Sequence, residues 1–132
     1  MLFRSWAEFR DNGTITAEEY RNTNFPQSYR TVEQFTAPFL LEDNPVYRAG
    51  LRMEHVETRV VECPYKVDFR DHGDAAKFAR EYIPTLRSWS ETTFAAGLSE
   101  SRPAEECQDI LDRYFDAYEA RVRENPAGHA MD

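Results

Sequence analysis

Apolar positions Leu2, Phe3, Trp6 and Phe9 fall at i, i+1, i+4 and i+7, which gathers them on one face of a helix that Gly13 closes. So abrupt an apolar start hints that the element begins upstream of Met1. Thr16-Ala-Glu-Glu19 has the S/T-x-x-E form of a capping box and predicts a short helical turn through Tyr20. Residues 22–29, with Pro26, read as loop. Thr31-Val-Glu-Gln34 is a second capping box, with Val32, Phe35 and Phe39 as the buried stripe and Pro38 and Pro45 limiting the helix.

From Gly50 to Pro64 the pattern changes to near-alternation with β-branched residues, Val56, Thr58, Val60 and Val61, and predicts a strand whose phase slips around His55. Residues 65–69 offer a second short extended piece before the turn Asp71-His-Gly-Asp74. The strongest periodicity follows: Ala75, Phe78, Ala79, Tyr82, Ile83, Leu86, Trp89, Phe94 and Leu98 repeat at helical spacing, with Pro84 expected to kink or split the run. A last helix over roughly 103–123 places Cys107, Ile110, Leu111, Tyr114, Tyr118 and Val122 on one face, and Asn125-Pro126 ends it. The expected fold class is therefore α+β, mostly helical with one to three strands. A lone strand leaves its backbone groups without partners, so further short strands in this chain, a second chain or a missing segment is expected to complete the sheet.

Length and composition set the class. The chain has 132 residues, the size of one compact domain. Its 18 aromatic residues are too many for a disordered acidic chain, although 16 basic and 24 acidic side chains leave a net charge of −8. That balance argues against nucleic acid as a partner, because phosphate contacts need a basic face. No apolar run approaches a membrane span and no secretory leader is evident, so a soluble, cytoplasmic protein is expected. Cys63 and Cys107 default to free thiols.

Chemistry-bearing motifs are sparse. The two closest glycines, Gly50 and Gly73, are 23 positions apart, so no glycine-rich nucleotide loop can form. His55, His72 and His129 lack metal-ligand spacing, and no metal is expected. His72 reads as a solvated turn residue, and His55 as a partly buried strand residue or one facing a ligand. Glu18/Glu19 and Glu105/Glu106 sit at helix starts, where the macrodipole accounts for them. Arg87-Ser-Trp-Ser-Glu91 is more specific: Arg87 and Glu91 can pair one turn apart while Trp89 projects from another face, as core or as the wall of an apolar pocket.

Taken together, residues 25–34 (FPQSYRTVEQ), 49–54 (AGLRME), 78–91 (FAREYIPTLRSWSE) and 110–118 (ILDRYFDAY) resemble the C-terminal half of SABATH-type S-adenosylmethionine-dependent carboxyl methyltransferases. Arg87 and Glu91 match an R-x-x-x-E pattern of that family. The resemblance spans roughly residues 14–123 and implies the C-terminal cap portion of a Rossmann-like methyltransferase fold. Leu86, Trp89 and Phe94 would then bind a small carboxylate- or hydroxyl-bearing substrate. It further implies S-adenosylmethionine in the parent protein, none bound by this chain alone, and no catalytic residue here. The cofactor half and a closing strand are absent from the sequence, so the chain would be a fragment or a reduced stand-alone relative. The other reading is a non-enzymatic α+β module that homodimerises through its exposed strand edge or binds a small ligand.

Overall fold

A computed structural model describes residues 2–25 and 28–129. The chain divides into two compact units, one formed by residues 1–25 and 61–132 and the other by residues 26–60. Seven α-helices follow in order: α1 (Leu2–Asp11), α2 (Ala17–Asn22), α3 (Val32–Leu40), α4 (Pro45–Arg48), α5 (Pro64–His72), α6 (Ala75–Gly97) and α7 (Ala104–Glu124), with a 3₁₀ turn at Pro126–Gly128.

In the larger unit, α6 and α7 form an antiparallel hairpin against which α1, α2 and α5 pack. The amphipathic stripe expected of α6 is the buried one: Phe78, Ala79, Tyr82, Ile83, Leu86 and Phe94 leave almost no surface in water. From α7 the matching side chains are Ile110, Leu111, Tyr114, Phe115, Tyr118 and Val122, and α1 adds Trp6 and Phe9. Aromatic rings carry much of this core, mostly in edge-to-face contacts, as between Trp6 and Phe94 (4.9 Å) and Trp6 and Tyr114 (5.0 Å). The helix α1 seats on α2 through the Trp6 indole, which donates to Thr23 Oγ1 at 3.0 Å. At that crossing Gly97 lies so close that a Cβ on it would stand 2.9 Å from Thr23 Cα. α6 continues through Pro84 as one helix, so the proline costs a hydrogen bond without dividing the element.

Both capping boxes form, at Thr16/Glu19 and Thr31/Gln34. α3 passes through Pro38 and ends at Leu40, while Pro45, preset for a first helical turn behind the Asn44 cap, starts α4 instead of merely stopping α3.

The α+β expectation is overturned. Among the described residues there is no strand and no sheet, hence no part of a Rossmann-like sheet. Residues 51–63 do run without helix, but among the described residues the backbone from 52 to 62 pairs with no other backbone group, so alternation here marks an extended segment and not a rung of a sheet. The second extended piece is the helix α5. Pro64 at its first turn and left-handed Gly73 at its end bracket it, and Tyr65 and Phe69, one turn apart, pack on Tyr82 and Phe78. Tyr65 and Phe69 fit a period of two and, one turn apart, one face of a helix as well, and their contacts with α6 decide between the two.

Candidate functional site

The site predicted from α6 separates into a floor and a wall. Phe94 and Leu86 are core residues: Phe94 is fully enclosed by Trp6, Phe25, Tyr114 and Phe115, and Leu86 is equally inaccessible. Trp89 is 40% exposed. Its ring meets the edge of Phe25 at 6.0 Å, Phe25 meets Phe3 at 5.3 Å, and Phe25 also rests on Phe94 at 5.3 Å. Phe3, Phe25 and Trp89 thus form a row of aromatic rings at the surface, from three separate segments, braced from below by Phe94. Phe3 and Phe25 were legible only as a helix residue and a loop residue. Nothing local in the sequence signals that they join Trp89, because α1 and the end of α2 are brought there by the buried Trp6–Thr23 contact.

On another face of α6, Arg87 grips Glu91 with both ends of its guanidinium, at 2.9 and 2.8 Å, and reaches Asp112 on α7 at 2.6 Å. Gln108 donates to Asp112 at 3.0 Å, and the guanidinium lies 5.1 Å from the Phe115 ring centre. Hydrogen bonds from Arg87 hold both carboxyls below their ordinary range. These are fixed charges that tie α6 to α7, with no group poised to exchange a proton near neutrality.

A second polar cluster went unread in the sequence. Glu19 closes the capping box by accepting from Thr16 N at 2.7 Å, yet it also accepts from Ser99 N at 2.9 Å and from Arg102 Nη2 at 2.8 Å. Arg102 additionally pairs with Glu106 and donates to the Thr14 carbonyl at 3.2 Å. Chiefly because of the Arg102 hydrogen bonds, the Glu19 carboxyl is lowered to about 2 despite its burial. An open cavity of about 630 Å³ borders this cluster, lined by Thr16, Glu18, Asn22, Ser99 and Arg102 among others. Its charged groups already satisfy one another, so it reads as a structural joint between α2 and the α6–α7 turn.

The histidines separate by environment. His55 stands in solvent beside Glu57 at 3.5 Å, and His72 is the exposed last residue of α5. His129 is buried: Tyr82 Oη donates to its carbonyl at 2.8 Å and its Nδ1 lies 3.1 Å from Tyr118 Oη. Burial, with Arg121 nearby, moves its pKa down. Cys63 and Cys107 are free. Among the described residues no group of three or more His, Cys, Asp or Glu side chains is placed to hold a metal ion, and no helix is long and apolar enough to cross a membrane.

The glycines bear on a nucleotide cofactor. Gly13, Gly50 and Gly73 adopt the left-handed conformation, and each follows the C-terminal end of a helix, α1, α4 and α5 respectively. A nucleotide-binding turn leads into a helix N-terminus, where free N–H groups meet phosphate or ribose, and Gly73 stands directly before one, at the Asp74 cap of α6. No known family model matches the chain, and no curated protein or solved structure matches it.

Proposed function

We propose that this chain acts as the substrate-enclosing helical cap of a methyltransferase-like protein whose cofactor is held outside these residues. The substrate is a small molecule bearing a carboxylate or hydroxyl, and the chain is not catalytically competent alone. One observation supports the reading above the rest: the row Phe3–Phe25–Trp89 leaves two rings, Phe3 and Trp89, exposed on either side of half-buried Phe25, which stands on the buried Phe94. Surface aromatics normally retreat into the core. A braced row left in water suits stacking against a flat or apolar ligand body. A cap contributes by orienting its substrate and excluding water, and it needs no acid or base of its own. That division of labour agrees with the ion pairs around Arg87, which stay charged across the neutral range.

The test is a fluorescence and calorimetric titration of the 132-residue chain. Benzoate or a larger aromatic acid should perturb Trp89 emission, and Trp89→Ala should weaken its binding about tenfold. S-adenosylmethionine should give no saturable heat. Unchanged affinity in Trp89→Ala removes the aromatic row from the site, and saturable micromolar binding of S-adenosylmethionine by the chain alone overturns the cap reading.

A further inference from the structure

The extended segment of the smaller unit presents two unlike faces. His55, Glu57 and Arg59 line one side, where the Glu57 carboxylate lies 3.5 Å from the His55 ring and pairs with the Arg59 guanidinium. Side chains at i and i+2 meet in this way only in a strand-like backbone. Val56, Thr58 and Val60 take the opposite side by the same alternation. The backbone between 52 and 62 pairs with no other backbone group among the described residues, and Val60 is 82% exposed. Here an edge and an apolar stripe coincide, which is the combination that other strands seek.

What fits this edge is written in it. Val56-Glu57-Thr58-Arg59-Val60, read backwards, is its own complement. Laid antiparallel about Thr58, each Val56 meets Val60 of the second copy, each Glu57 meets Arg59, each Arg59 meets Glu57, and the two threonines face each other. Apolar, opposite-charge and Thr–Thr pairs are the cross-strand combinations that favour antiparallel pairing. The register also limits itself. Two residues beyond Val56, Glu54 would oppose Glu62, a like-charge pair, so the match extends no further than residues 55–61.

A receptor for the arriving side chain is present within the same unit. Val32 and Phe35 of α3, with Arg30, Thr31, Val56, Glu57 and Thr58, line an open groove of about 210 Å³. Directly opposed residues stand roughly 5 Å apart between Cβ atoms, so Val60 of the second copy, paired with Val56, reaches this groove. Val32 and Phe35, exposed in the single chain, gain a cover.

We propose that two copies of this chain associate through residues 56–60 as a two-stranded antiparallel ribbon centred on Thr58, each copy's Val60 entering the α3 groove of the other. A ribbon of this length is a weak, reversible interface, populated at high protein concentration. The proposal is independent of the aromatic row on the larger unit.

Charge reversal tests it, at positions exposed enough that folding, checked by far-ultraviolet circular dichroism, is unaffected. Sedimentation of the unaltered chain from micromolar to millimolar concentration should show reversible dimers. Glu57→Arg and Arg59→Glu each turn both charged pairs into like-charge pairs and should each weaken self-association about tenfold or more. An equimolar mixture of the two variants restores opposite charges at both positions and should form the mixed dimer with near-original affinity. A chain that stays monomeric throughout, variants that dimerise as well as the original, or a mixture that yields no mixed dimer overturns the proposal. Monomers that instead pair with an unrelated strand-donating protein count equally against it.

Discussion

The larger helical unit and the unit of residues 26–60 solve the problem of holding helices together in opposite ways. In the larger unit, α6 and α7 are 23 and 21 residues long and present full apolar stripes to one another, so tertiary burial sustains them. In the smaller unit, α3 has nine residues and α4 four, and among the described residues of that unit only Thr36 is buried. Its helices rest on local devices: the Thr31/Gln34 box, the Asn44 cap bonded to Val46 N at 3.0 Å, and Pro45 at a first turn. Four of its large apolar side chains, Phe35, Leu40, Leu41 and Leu51, stay more than half exposed. Caps choose where a helix starts, but only a covered face makes it durable. The smaller unit has the first without the second.

The contrast is broken most sharply at the centre of the larger unit. Phe94→Ala empties a position touched by rings from α1 and α7 and by Phe25, and should cost about 3–5 kcal/mol in chemical denaturation. A loss below about 1 kcal/mol would mean that the aromatic core is not the source of stability. Acid probes the polar joint beside that core. Glu19 has a folded pKa of about 2 against an ordinary 4.5, so its contribution, about 3 kcal/mol, is complete above the unfolded value. Stability should therefore fall as pH drops from about 4.5 towards 2, and Glu19→Gln, already less stable at neutral pH, should flatten that part of the curve. A Glu19→Gln chain with the original acid profile would assign the dependence to other carboxylates. The smallest effect belongs to the smaller unit. At low protein concentration Phe35→Ala should change stability by no more than about 0.5 kcal/mol, since most of the ring is already in water.

How far the sequence could be read follows the same division. Where a pattern was long, as over 75–98 and 104–122, period and burial agreed, because many positions voted for one face. Caps were equally legible, being local: Thr16, Thr31 and Asp74 each bond the N–H three residues on. Short patterns failed. Val56–Val61 and Tyr65–Phe69 both alternate, yet one is extended without a ladder and the other is helical, since five residues carry too few positions to separate a period of two from one of 3.6. At the candidate site Trp89 could be singled out and Phe3 and Phe25 could not. Leu86 and Phe94, read with Trp89 as pocket wall, are buried in the core, because the direction a helical side chain faces depends on what packs around it.

By itself, then, the sequence determined the helices with long apolar stripes and their caps, both of which depend on neighbours within a few turns. Tertiary structure alone decided which aromatic rings share a surface, that Glu19 of a short capping box becomes the buried partner of Arg102, 83 residues away, and that the alternating segment finds no sheet among the described residues. Those outcomes depend on groups distant in the chain, and pairing or burial energy appears only once the fold has brought them together.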